Sequence, residues 1–173
     1  ERVERASALK EEGNDHFRTG AAEAAVLQYR AGLRICPKSE GELRAALYGN
    51  MAAAYVKQDD HERAVECCDK AVKYKEHYVK VYMRRAASHE KLDNLEKALA
   101  DYKTVLELDP RNGVAIDGVQ VCCSAFYLGT WHVLYNHHLV FNITLLRLTC
   151  HDHHGMQHSR NVHSVFILIR DSN

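Results

Sequence analysis

Apolar and polar residues follow a helical period over the first 110 residues of the chain. Between residues 22 and 35 the apolar positions share one face of an α-helix: Ala22, Ala25, Val26, Tyr29 and Leu33. The same pattern predicts six helices, at residues 2–18, 22–35, 42–58, 61–73, 78–91 and 95–108. The predicted connections are a linker at residues 39–43 and turns at Gly20, Asp59-Asp60 and Asp93-Asn94, with Asn94 as a helix N-cap.

Four positions recur at fixed spacing within this helical region. The first register is Gly13, Ala25, Tyr29 and Pro37; adding 39 gives Ala52, Ala64, Cys68 and Glu76, and adding a further 34 gives Ala86, Ala98, Tyr102 and Pro110. Small residues at the first two positions let paired helices approach closely, and a larger residue at the third position fills the adjacent space. One helical pair cannot bury its own apolar face, so at least three pairs must stack.

A 34-residue spacing of paired helices resembles the tetratricopeptide repeat. We therefore predict an all-α fold, a right-handed superhelix of three helix-turn-helix repeats. The repeats are expected at about residues 6–39, 45–78 and 79–112, within a domain of residues 1–119 that ends in the start of a capping helix.

The charge balance argues against two classes of partner. The chain carries 23 basic and 23 acidic residues, so it has no bulk attraction to nucleic acid or to an anionic membrane, and neither partner is expected.

Three of the six cysteines, Cys36, Cys67 and Cys68, lie in the helical region. In the absence of a secretory signal before them, we expect reduced thiols in a cytoplasmic protein.

The character of the sequence changes after Pro110. Every lysine and glutamate precedes residue 108, and eight of the twelve histidines follow residue 112. Residues 114–119 could begin the capping helix, but the sequence that follows is too apolar to complete it. We therefore predict that residues 120–173 form an irregular, apolar, His/Cys-rich tail outside the repeat fold, either a genuine lineage-specific tail or a translated non-coding or frame-shifted segment.

Two functional interpretations of this tail are less favoured. Cys122, Cys123 and Cys150 with the nearby histidines lack the paired spacing of a structural zinc site, so no metal and no cofactor are expected. Residues 121–146 contain no Asp, Glu, Lys or Arg, which would permit a membrane span. Polar residues such as His137 and Asn142 within that stretch argue against one.

Five polar residues at matched positions of the first helices form the candidate binding site: Lys10, Asn14, Asn50, Lys80 and Arg84. Lys10 and Asn14 are four residues apart, as are Lys80 and Arg84, so each pair shares one helix face. First helices of stacked repeats line a common concave surface, which would bring all five into one groove. Three cations and two amides are suited to the two carboxylates of a C-terminal aspartate.

The segments LKEEGNDHF, LYGNMAAAYVKQ and YVKVYMRRAA resemble the first helices of carboxylate-clamp tetratricopeptide co-chaperones. The resemblance implies an adaptor that binds the C-terminal Glu-Glu-Val-Asp peptide of the seventy- and ninety-kilodalton heat-shock chaperones. It also implies which residues form the clamp, and the same five positions are filled by matching residue types. Within this family, an alternative is a scaffold for another partner, such as a G-protein α subunit or a Ras-type GTPase.

Catalysis is not expected from this sequence. The repeat region contains no GxSxG, glycine-rich phosphate loop, HExxH or paired catalytic carboxylates, so we predict a binding protein rather than an enzyme. Arg85, next to the clamp, is expected to pair with Glu12 or Glu90 and to have no role in binding.

Overall fold

The computed structural model describes the backbone of residues 1–136 and the side-chain surroundings of residues 1–125. Its helices are α1 Arg2–Arg18, α2 Ala22–Ile35, α3 Gly41–Lys57, α4 His61–Tyr74, α5 Val79–Lys91, α6 Leu95–Leu108 and α7 Gly113–Asn136. The six predicted helices are confirmed, with ends that differ from the prediction by at most one residue. The linker predicted at residues 39–43 ends earlier in the structure, because α3 begins at Gly41. Glu42 lies in the first turn of α3, where an acidic residue is favourable.

Each helical pair turns through one residue with a left-handed backbone. The φ angle is 91° at Gly20, 59° at Asp59 and 58° at Asp93. These residues follow the 39- and 34-residue spacings of the repeat, and Gly and Asp tolerate this conformation better than most residues. Asp60 then caps α4 by accepting a backbone N–H at 3.0 Å, whereas Asn94 occupies the N-cap position of α6 without a side-chain capping bond.

Small residues lie where the helices cross. Five alanines at the predicted crossings have no exposed surface: Ala25, Ala52, Ala64, Ala86 and Ala98. Gly13 lets the ring of Tyr29 pack directly on the backbone of α1, because a Cβ at residue 13 would overlap that ring. The predicted repeat register is therefore consistent with the packing of the three pairs.

Successive helices pack as antiparallel pairs, and the first helices of the pairs also contact each other: α1 contacts α3, and α3 contacts α5. This arrangement places α1, α3 and α5 next to one another on one face of residues 1–131, which pack as one unit. The predicted all-α repeat architecture is confirmed.

The capping helix is longer than predicted. We expected regular structure to end near Val119, but α7 continues to Asn136, and Ala115 and Cys122 are fully buried against the core that includes Tyr102. Ala115, Gly118 and Cys122 form a face of small residues, and the Tyr102 ring lies directly on Gly118. The prediction that the sequence after Val119 is too apolar to continue this helix is therefore wrong, because the small residues on this face let α7 pack directly on Tyr102. The predictions for residues 137–173 lie outside the described part of the chain.

No helix within residues 1–136 is both long enough and apolar enough to cross a membrane.

Candidate carboxylate-binding groove

The predicted site residues lie on the three adjacent first helices. Lys10 and Asn14 are on α1, Asn50 is on α3, and Lys80 and Arg84 are on α5. The closest link crosses between the first two repeats, where Asn50 Nδ2 donates to Asn14 Oδ1 at 2.9 Å. The two amides, 36 residues apart in sequence, are thus held side by side.

A buried tyrosine fixes the orientation of Asn14. The Tyr29 hydroxyl donates to Asn14 Oδ1 at 2.9 Å, so this oxygen accepts two hydrogen bonds. Burial raises the pKa of Tyr29, which keeps the hydroxyl protonated and able to donate. With its oxygen occupied, Asn14 presents its Nδ2 group as a donor. The sequence identified Tyr29 as a core position but gave no indication that its hydroxyl supports the site.

Arg84 is attached to the middle repeat. Its Nη1 donates to the carbonyl oxygen of Gly49 at 2.9 Å, directly beside Asn50 in sequence. A Cβ at residue 49 would lie 3.2 Å from Val81 Cγ2, so glycine permits the close approach of α5 to α3 that this bond needs. Three of the five predicted residues are therefore connected: Asn14 to Asn50 directly, and Arg84 through the neighbouring backbone.

Glu11 is a member of this site that the sequence analysis missed. Its carboxylate accepts from Asn14 Nδ2 at 3.0 Å and pairs with Lys10 Nζ at 3.0 Å. The Asn14 hydrogen bond, followed by the Lys10 hydrogen bond, lowers the pKa of the Glu11 carboxyl. The side chain of Glu11 is 61% exposed, so this carboxylate is held at the surface and can move away. Lys10 and Asn14 thus both contact the carboxylate of Glu11.

Lys80 is the least constrained of the five. It is exposed on α5, one turn before Arg84. Among the described residues, no hydrogen bond or ion pair links it to the other four. It can therefore reach a ligand in the groove without breaking an existing contact.

The prediction that Arg85 pairs with Glu12 or Glu90 is wrong. It binds Asp101 through two parallel hydrogen bonds, Nε to Oδ2 at 2.9 Å and Nη2 to Oδ1 at 2.6 Å, and it pairs with Asp69 at 2.5 Å. Asp101 is only 5% exposed. Arg85 therefore ties α5 to α4 and α6, and its role is structural.

No cluster of three or more potential metal-binding side chains occurs among the described residues.

Comparison with known proteins identifies the repeats. Family models described as tetratricopeptide repeat match residues 45–78 and 79–112, the second and third predicted repeats. The first tetratricopeptide domain of Spaghetti (RPAP3), solved with the HSP90 peptide SRMEEVD, is 33% identical, with 72% of this chain and 98% of that chain covered and a TM-score of 0.66. This chain belongs to the tetratricopeptide repeat family.

Two further proteins are similar to this chain. The second such domain of human RPAP3, solved with the HSP70 peptide SGPTIEEVD, is 30% identical, covers 70% of this chain and 98% of that chain, and has a TM-score of 0.65. The mitochondrial import receptor subunit TOM70 of Rattus norvegicus is 36% identical over 107 residues, 62% of this chain. The match spans only 18% of the length of TOM70.

Proposed function

We propose that this tetratricopeptide domain is a co-chaperone adaptor that binds the C-terminal Glu-Glu-Val-Asp-type peptide of heat-shock chaperones. The observation that carries the proposal is the connected set of donors on α1, α3 and α5, in which Lys10 and Asn14 already hold the carboxylate of Glu11. Two similar domains solved with HSP90 and HSP70 peptides, each ending in EEVD, support the same type of ligand.

Each clamp residue has a defined part in this proposal. A C-terminal aspartate carries one main-chain and one side-chain carboxylate. Lys10 and Asn14 release the carboxylate of Glu11 and bind one of these two peptide carboxylates. Lys80 and Arg84 approach from α5 and neutralise the other. Asn50 keeps Asn14 oriented through its 2.9 Å hydrogen bond and donates to the peptide with its remaining N–H.

Affinity is expected to be moderate. Hydrogen bonds to charged groups contribute roughly 1.5–3 kcal/mol each, but ordering a flexible peptide offsets part of that gain. We therefore expect a dissociation constant of about micromolar order. Added salt should weaken binding, because the groove is exposed to solvent.

We also propose a cytoplasmic, non-enzymatic role. Cys67 and Cys68 are buried thiols, and burial raises the pKa of Cys67 to about 11 and that of Cys68 to about 12, so both stay protonated. The sequence also resembles tetratricopeptide repeat protein 1, which implies a G-protein α subunit or Ras-type GTPase as an alternative partner. We assign no described residue to such a partner, and this alternative remains a prediction.

The proposal is tested by calorimetric titration of the chain with a Glu-Glu-Val-Asp peptide. Lys80→Ala and Arg84→Ala should each weaken binding by about 10- to 150-fold, the equivalent of roughly 1.5–3 kcal/mol. Lys103→Ala removes an exposed cation of α6 outside the groove and should leave the affinity unchanged. Equal affinities for all three variants would contradict the clamp.

A further inference from the structure

A second charged site lies away from the groove, in a cleft of about 360 Å³ formed by α2, α3 and α4. The charged side chains that line it are predominantly basic: Arg30, Arg34, Arg44, Arg63, Lys70 and, as the one acid, Glu66. Its volume is in the range of small-molecule binding sites.

Most of these cations have no carboxylate partner within the described part of the chain. Arg63 is the exception, because it pairs with Asp60. The other four cations together with Glu66 carry a net charge of about +3. A concentration of uncompensated positive charge in a concave site favours a bound anion, since the low-dielectric walls focus the field.

A buried tyrosine organises two of the arginines. Tyr55, 4% exposed, accepts a hydrogen bond from Arg30 Nη2 at 3.1 Å through its hydroxyl. The guanidinium of Arg63 lies over the ring of the same tyrosine, 4.9 Å from the ring centroid. Tyr55 therefore contacts and positions two arginines that come from different helices, Arg30 from α2 and Arg63 from α4.

Arg44 is fixed on the α3 side of the cleft. Its Nη1 donates to the carbonyl oxygens of Leu33 at 3.2 Å and Cys36 at 2.8 Å. These two hydrogen bonds cap the C-terminal end of α2. Its guanidinium also lies 5.2 Å from the ring centroid of Tyr74. The buried Nε–H of Arg44 has no acceptor among the described residues. This arginine thus covers the negative end of the α2 dipole, which would otherwise repel an anion.

The cleft and the carboxylate-binding groove occupy different faces of α3. The α3 residues that line the cleft have helical spacing, Arg44, Tyr48, Met51 and Tyr55. At about 100° per residue, Asn50 lies about 130° around the helix from the centre of that face. The two sites can therefore be occupied and altered separately.

We propose that this cleft binds a compact anion bearing two or more phosphoryl groups. Each phosphate monoester carries a charge of about −1.5 to −2 near pH 7, so two of them match the net charge of the cleft. Carboxylates would need three or four groups to supply the same charge in that volume. Arginine guanidinium groups also bind phosphate oxygens in a bidentate manner. The phosphoryl groups belong either to a free small molecule or to a multiply phosphorylated segment of a protein partner.

The test is a titration of the full chain with tripolyphosphate in a phosphate-free buffer of low ionic strength, followed by calorimetry and by amide NMR shifts. The test variant is the double substitution Arg34→Gln with Lys70→Gln, because both side chains are exposed. The matched control, Lys97→Gln with Lys103→Gln, removes the same charge from exposed positions of α6. Arg44 is left intact because it caps α2.

The proposal predicts saturable binding, with shifts concentrated on α2, α3 and α4. The Arg34/Lys70 variant should bind at least tenfold more weakly, the Lys97/Lys103 control less than twofold, and both should retain their affinity for a Glu-Glu-Val-Asp peptide. A doubly phosphorylated serine peptide that binds more tightly than tripolyphosphate would identify a modified protein as the source; weaker binding would identify a free anion. Non-saturable binding, equal losses in both variants, or equal affinity for citrate would overturn the proposal.

Discussion

Arg85 joins three helices, and replacing it with alanine should destabilise the repeats strongly. The substitution removes both hydrogen bonds to Asp101 and the ion pair with Asp69. It also removes the guanidinium that lies 5.2 Å from the ring centroid of Tyr82. The repeats then lose the link that connects α5 to both α4 and α6.

The magnitude follows from the burial of the partners. The side chains of Arg85 and Asp101 are 19% and 7% exposed, so the substitution leaves a buried carboxylate without its counter-charge. Breaking one side of a buried pair typically costs about 3–5 kcal/mol. The Asp69 side chain is 51% exposed, and its pair contributes less than about 1 kcal/mol. We therefore expect a loss of about 3–6 kcal/mol from a total stability of roughly 5–15 kcal/mol.

Urea denaturation followed by circular dichroism measures this loss. Arg18→Ala is the control, because it breaks an ion pair at the surface: the side chains of Arg18 and Asp15 are 71% and 67% exposed. This substitution should lower the free energy of unfolding by less than about 1 kcal/mol. Adding Asp101→Asn to Arg85→Ala should restore part of the stability, since it removes the buried charge. A loss below about 1 kcal/mol for Arg85→Ala, similar to that of the control, would refute the structural role assigned to this arginine.

Two further substitutions test the groove and the helix crossings. Glu11→Gln should tighten peptide binding, measured by calorimetry, by about two- to fivefold, because it weakens a competing contact of roughly 0.5–1 kcal/mol. The control Glu12→Gln, at an exposed neighbouring position, should leave the affinity unchanged. Equal effects of the two substitutions would exclude competition by residue 11. Ala64→Leu or Ala98→Leu should destabilise by about 1–3 kcal/mol or more, because both alanines are fully buried at crossings. An unchanged thermal melt for either variant would show that the repeat register is wrong.

Much of the fold could be predicted because its signals are local. Gly20 and Pro37 mark where helices end, and the small residues at fixed spacing identify the crossings. The longer α7 could not be predicted in this way, because the sequence after Val119 is apolar without a sustained helical period. The face of Gly118 and Cys122 becomes a packing surface only when the ring of Tyr102, from another helix, lies on it.

The sequence allowed residue types to be proposed for the candidate site, but it did not allow their contacts to be predicted. Helical spacing placed the clamp residues on common faces. The contacts of Glu11 with Lys10 and Asn14 were not visible, since an exposed acid beside a lysine resembles ordinary solvated surface. The partners of Arg85 depend on how α4 and α6 are rotated against α5, and the sequence contains no local signal for that rotation.

The central claim is that the groove binds a terminal carboxylate pair, and one comparison tests it most directly. The full chain is titrated by calorimetry with a Glu-Glu-Val-Asp peptide in its free-acid form and with the same peptide amidated at its C-terminus. Amidation removes one of the two carboxylates, so the account predicts at least a tenfold weaker affinity, equivalent to about 1.4 kcal/mol or more. Equal affinity for the two peptides would contradict the clamp.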